Sequence, residues 1–174
     1  VGIIGLGFLG NYVGKYLSNL KYKVIGFKRE NRKTLSNIKI FTGNNLNQFL
    51  ELSDIVVSIL PDTQYTKNFI NAKFLSLMKK ESFLINIGRG STLNESDLLL
   101  HLKKNKNFHV SLDVFKKEPL PRDNKFWTQK NVIVTPHVAA LTDIESSIDL
   151  MVNRFKIFKK TGKIKSDVNL DRGY

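Results

Sequence analysis

Cysteine is absent from the 174 residues. That excludes disulfides and thiolate metal sites, and it fits a reducing, cytoplasmic setting. No run approaches the roughly 18 apolar residues of a membrane helix, so no membrane partner is expected. Acidic residues are scarce: 15 Asp and Glu face 28 Lys and Arg, for a net charge of +13. Such an excess invites a nucleic-acid reading. The lysines, however, are scattered through every segment and lack the aromatic interleaving of a base-stacking surface. No nucleic-acid partner is therefore expected, although a positive field would favour small anionic ligands. Internal repeats, low-complexity tracts and linkers are missing too. So is an initial Met: the chain opens on Val1, already inside a strand, and a preceding segment is expected. The hydrophobic fraction of 41% is that of a globular protein, and the length suffices for one α/β domain with a real core.

What is present begins at once. Val1, Ile3 and Ile4 read as the end of a buried strand, and Gly5, Gly7 and Gly10 follow in the spacing G-x-G-x-x-G. Val13 and Leu17 then fall on one helical face. Strand, glycine turn and helix are the context of a dinucleotide fingerprint. Gly5 permits the tight turn, Gly7 lets a pyrophosphate approach, and Gly10 allows close packing of helix on strand. The helix N-terminus offers free N–H groups to phosphate, and Phe8 and Leu9 complete the turn.

Further strands are expected at Tyr22–Phe27, Ile38–Phe41, Asp54–Leu60, Ser82–Ile87, Val110–Phe115 and Val132–Thr135. Helices are expected at Leu46–Leu50, at Asn71–Met78 with Phe74, Leu75 and Met78 inward, after Asn94 as N-cap, and over Thr142–Lys160. Alternating strands and helices predict one doubly wound parallel sheet. The expected organisation is a dinucleotide-binding domain over residues 1–141 and a C-terminal helix and tail over 142–174.

In such a sheet ligands bind at the carboxyl ends of the strands. An acidic residue just past the second strand would favour NAD. Here that position is held by Lys28 and Arg29, with Arg32 and Lys33 close behind. A cationic cluster suits a 2′-phosphate, so NADP, as NADPH, is the expected cofactor, with NAD the weaker candidate. The fourth strand ends at Leu60 and Pro61, the fifth at Ile87, Gly88 and Arg89. The last two run into Asp113–Glu118 and into His137. These ends should share one edge of the sheet. The fork of Arg89 suits a carboxylate. A carboxylate within reach favours the charged form of a histidine, which can then donate a proton near neutral pH. Together they describe reduction of a 2-keto acid. Arg89 holds the substrate, His137 protonates the developing alkoxide, Glu118 orients His137, and Asp113 faces the nicotinamide. His101, His109 and Trp127 are expected to serve packing.

These stretches resemble the D-2-hydroxyacid dehydrogenase family. The matching segments are Gly5–Gly10, Ile85–Gly90, Leu112–Phe115 with Glu118-Pro119, and Thr135–Ala139. The resemblance places the family's catalytic Arg, Glu and His on Arg89, Glu118 and His137, and its nicotinamide-side Asp on Asp113. It implies an NAD(P)-binding Rossmann fold without its N-terminal substrate domain, onto which the last helix would pack. The basic run after the second strand, the Trp127 segment and the ending Val168–Tyr174 are similar to the branch that reduces glyoxylate to glycolate and hydroxypyruvate to D-glycerate. That branch implies NADPH, a small 2-keto acid as substrate and a homodimer. The alternatives are another family member, of the phosphoglycerate or formate type, or a non-catalytic nucleotide-sensing module.

Overall fold

The computed structural model describes residues 1–29, 38–140 and 142–164. Arg32, Lys33 and the ending at 168–174, singled out above, lie outside the described residues. The chain divides into two compact units, Val1–His137 and Val138–Tyr174.

In the first unit, among the described residues, seven strands form a single parallel sheet. They are β1 (Gly2–Ile4), β2 (Ile25–Lys28), β3 (Lys39–Thr42), β4 (Ile55–Ser58), β5 (Phe83–Asn86), β6 (His109–Leu112) and β7 (Val132–Val134). Their order is β3-β2-β1-β4-β5-β6-β7, the doubly wound arrangement. The order reverses beside β1, which pairs with β2 on one side and β4 on the other. A crevice therefore opens at the carboxyl ends of β1 and β4, where ligands bind in such sheets.

The helices are α1 (Phe8–Asn19), α2 (Leu46–Glu51), α3 (Ala72–Leu77) and α4 (Glu95–Lys104). Asn94 caps α4 as expected, accepting the Asp97 N–H at 3.2 Å, and Asn71 caps α3 in the same way, accepting the Phe74 N–H at 3.1 Å. The second strand starts later than its β-rich sequence predicts. After α1 the chain turns through Lys21 at φ 68°, and Tyr22 donates back to the Leu17 carbonyl at 3.1 Å. Tyr22–Val24 are spent leaving the helix, and pairing begins where Ile25 meets Gly2.

Burial on both faces makes the inner strands largely apolar; Val56 and Val57 of β4 are buried. Phenylalanine fills much of the core. Phe49 of α2 meets Phe27 and Phe41 with centroids 5.6 and 6.1 Å apart. Phe74, Leu75 and Met78 are buried as expected.

The second unit holds α5 (Ile144–Thr161), closed by Gly162 in the left-handed region at φ 65°. None of its residues is buried. Ile144, Ile148, Met151 and Phe155 stand exposed at helical spacing.

Candidate active site

The glycine turn joins β1 to α1. Gly5 adopts φ +94°, a conformation that L side chains rarely take. A Cβ on Gly10 would lie 2.1 Å from the Gly5 carbonyl oxygen, so only glycine lets the helix start so close to the strand. Gly7 faces open space, with no atom within 4 Å of a would-be Cβ. Phe8 is 88% exposed and Leu9 about half exposed. The first turn of α1 carries no acidic residue and no side-chain cap among the described residues. Its positive end is thus directed at open space, the arrangement that receives phosphate. The turn fits the pyrophosphate of a dinucleotide.

Sequence reasoning missed the brace beneath it. Asn11 Nδ2 donates to the carbonyls of Leu6 and Gly7 at 2.9 and 2.8 Å, which fixes the turn from the helix side. The only signal is an amide one residue after the fingerprint, too common to interpret alone.

On either side of β1 lie Lys28 and Arg29, at the end of β2, and the segment that starts at Leu60 and Pro61 after β4. Lys28 is half-buried and Arg29 exposed. Thr66 ties this segment down: its hydroxyl donates to the Pro61 carbonyl at 2.6 Å and accepts the Thr63 N–H at 2.9 Å. Ile87 and Gly88, after β5, lie on the same edge, and the Ile87 N–H bonds the Ser58 carbonyl of β4 at 3.1 Å.

Arg89 is exposed on a fixed backbone. Its carbonyl accepts the Thr92 hydroxyl at 2.6 Å and the Thr92 N–H at 3.2 Å. The guanidinium rests on the Gly88 carbonyl at 2.8 Å. The next residue, Gly90, packs directly on the backbone of Phe115, 2.0 Å from where a Cβ would stand. This close approach brings the β5 and β6 loops together.

Glu118 joins two more segments. One carboxylate oxygen accepts the Phe115 N–H at 2.8 Å. The other meets His137 Nδ1 at 2.7 Å. Burial raises the Glu118 pKa, but the His137 hydrogen bond, the Phe115 N–H and the charges of His137 and Arg89 together outweigh it, holding it below its ordinary value. An ionised Glu118 requires Nδ1 to carry the hydrogen, which leaves Nε2 for chemistry. His137 itself sits at φ 57°, a left-handed conformation that costs about 1–2 kcal/mol. Strain of this kind persists where surrounding structure enforces it, often at functional sites.

Two supports of this cluster are absent from the sequence-based expectations. Glu95, which sequence marks only as a first-turn acid, accepts the Lys116 N–H at 2.9 Å and so moors the Glu118 loop to α4. Thr135 donates its hydroxyl to Asp113, which is buried.

Asp113, Glu118 and His137 line a cavity of about 590 Å³, walled mainly by Phe115, Leu120 and Trp127. Trp127, expected in the packing, is instead half exposed; its indole N–H is satisfied by the Pro121 carbonyl at 2.8 Å, so the ring can serve as a wall. His101 and His109 lie elsewhere: His101 meets Phe108 edge-on at 4.6 Å, and His109 stacks on Phe83. Among the described residues no cluster of His, Asp and Glu could hold a metal ion.

The chain matches the family model for the D-isomer specific 2-hydroxyacid dehydrogenase, NAD binding domain, over residues 1–139. The glyoxylate/hydroxypyruvate reductase A of Photorhabdus laumondii is 37% identical across the whole chain. The match takes in 56% of that protein, so the chain spans about half the length of such relatives. The NADPH-dependent glyoxylate/hydroxypyruvate reductase of Sinorhizobium meliloti, solved with NADP and sulfate, superposes with a TM-score of 0.90 at 32% identity. That match covers 99% of this chain and 56% of the other. A D-isomer specific 2-hydroxyacid dehydrogenase from Xanthobacter autotrophicus Py2, solved with NADPH and MES, gives 0.91 at 31% identity over all of this chain and 72% of the other.

Proposed function

The chain belongs to the D-isomer specific 2-hydroxyacid dehydrogenase family, whose NAD-binding domain it carries, and on that premise we propose that it serves an NADPH-dependent reductase of small 2-keto acids, glyoxylate and hydroxypyruvate foremost. The observation that carries this reading is the His137–Glu118 pair, joined at 2.7 Å beside Arg89 on the sheet edge that holds the glycine turn. The NADP and NADPH bound in similar structures, and Lys28 and Arg29 at the end of β2, support the choice of cofactor.

In this reading Gly5, Gly7, Phe8, Leu9 and Gly10 receive the pyrophosphate. Lys28 and Arg29 face the 2′-phosphate. Leu60, Pro61, Ile87, Gly88 and Asp113 border the path to the nicotinamide end. A bound reduced nicotinamide supplies hydride for the carbonyl carbon. Arg89 swings from the Gly88 carbonyl to take the substrate carboxylate in a two-point contact and polarises the adjacent carbonyl. His137, doubly protonated, gives its Nε2 proton to the carbonyl oxygen as negative charge develops there. The imidazole left behind keeps its Nδ1 hydrogen on Glu118, so the carboxylate holds the ring in one tautomer. The C=O double bond becomes an alcohol: one hydride reaches carbon and one proton reaches oxygen.

The exposed apolar stripe of α5 is assigned to contact with the substrate domain that the family resemblance implies. A homodimer in the cytoplasm is part of the same reading.

The test is a panel of 2-keto acids with NADPH and NADH on the full-length protein. Turnover of glyoxylate and hydroxypyruvate with NADPH preferred is expected. Preference for NADH, or for a phosphorylated hydroxy acid, would replace this reading with another branch of the family. Arg89→Ala should raise KM and lower kcat together, because the contact holds the substrate carboxylate in the ground state and stabilises the charge developing on the carbonyl further in the transition state.

A further inference from the structure

Arg29 does not stand by itself at the end of β2. Its guanidinium lies over the ring of Tyr65, 4.4 Å from the centroid. Tyr65 belongs to the segment after β4. Because β1 lies between β2 and β4 in the sheet, this contact links the two segments that flank the end of the glycine-turn strand. Arg29 directly follows β2, and Tyr65 lies on a turn tied to its neighbours. Beneath them Phe27 of β2 and Phe69 of the β4 segment meet with centroids 6.2 Å apart, and Phe69 continues to Phe74 at 5.7 Å. Thr66, next to Tyr65, is bonded to the Pro61 carbonyl, and the Asn68 N–H is bonded to the Ser91 carbonyl at 2.9 Å. The ring is thus presented from a braced turn, across from a strand end whose own core contact is shared with it.

We propose that Tyr65 is a positioning residue for 2′-phosphate recognition: its ring holds the Arg29 guanidinium at the edge of the crevice, so the cation is ordered before ligand arrives. This inference rests on the assignment of Arg29 to the 2′-phosphate in the proposed function. An arginine that lies over a ring is held there by its charge, while its N–H groups point outward in the guanidinium plane, the geometry that meets phosphate oxygens. Ordering it beforehand lowers the entropic cost of binding. The effect is selective, because it acts through a charge that only the phosphorylated ribose engages.

The test uses the full-length protein and two probes, adenosine 2′,5′-bisphosphate and adenosine 5′-monophosphate, titrated by calorimetry. Wild type should bind the bisphosphate more tightly. Tyr65→Ala should weaken the bisphosphate about two- to fivefold, the scale of an exposed cation–π contact, and leave the monophosphate unchanged. Tyr65→Phe, which keeps the ring, should bind as wild type does. Arg29→Ala should weaken the bisphosphate by about ten- to a hundredfold, and adding Tyr65→Ala to it should cost nothing more. Equal weakening of both probes by Tyr65→Ala, or additive losses in the double variant, would overturn the proposal and make Tyr65 an independent contact. A wild type that does not distinguish the probes overturns the NADPH reading, and this inference with it. A wild type that does distinguish them, with Tyr65→Ala unaffected, overturns this inference alone.

Discussion

The two ends of the candidate site are made of different material. At the β1 end the working surface is backbone: a glycine turn, the exposed start of α1, and the Asn11 brace beneath. At the β6–β7 end it is side chain: Glu118, held by a backbone N–H, orients His137, whose backbone is in the left-handed region. A backbone site depends on atoms that are not there, so any added atom blocks it. A side-chain site depends on two particular groups, and an isosteric swap can leave its shape intact while removing its chemistry. The comparison can be tested by making each kind of change at each end.

The largest effect is expected from His137→Gln in the full-length enzyme. Losing a general acid should lower kcat by about 10²–10⁴-fold, with cofactor affinity and melting temperature close to wild type. Steady-state kinetics and calorimetry on one preparation check both halves, and a near-normal kcat would remove His137 from the mechanism. Gly10→Ala should do the reverse. Its methyl would meet the Gly5 carbonyl, and forced overpacking costs about 1–3 kcal/mol. Urea unfolding should shift accordingly, and cofactor affinity should fall with it. A stable variant with unchanged cofactor affinity would show that the turn can relax.

A smaller, pH-dependent effect separates the ends further. The Glu118 pKa is depressed in the folded protein below its ordinary 4.5. Between those two values the unfolded chain binds more protons, so stability rises with pH across that window. The contribution of Glu118 is complete above about pH 4.5 and is lost as pH falls through the folded value. Glu118→Gln should flatten that part of the profile in denaturant melts, whereas an unchanged profile would mean that the pairing contributes nothing to folding. The smallest effect is assigned to Glu95→Ala. It removes the acceptor of the Lys116 N–H, an exposed bond whose loss costs about 0.5–1.5 kcal/mol. The expected drop in kcat is under about tenfold, the scale of 1.4 kcal/mol, with KM for cofactor unchanged; a loss as large as that of His137→Gln would place Glu95 in the chemistry itself.

Much of this architecture is legible in the residue pattern. Periodicity locates the sheet and its helices, and the helix starts at Asn71 and Asn94 are legible because capping is a local hydrogen bond. The exception is local too: Tyr22–Val24 are β-rich, but the helix exit at Lys21 claims them. The side chains that matter indirectly are not legible. Glu95 and Thr135 each act on a partner about twenty residues away, and no spacing rule connects them. Tyr65 carries no motif; its meaning comes from Arg29 lying opposite.

The sequence by itself determined the order of strands and helices, the family, and the identity of the glycine turn, because those depend on backbone conformation and short-range repeats that residue type dictates. Tertiary structure alone decided the contacts that brace the site. The Gly90–Phe115 approach, the Glu95–Lys116 bond and the Arg29–Tyr65 contact each join segments held apart along the chain. Such contacts are fixed by strand order and register in the sheet, long-range packing that only the folded chain specifies.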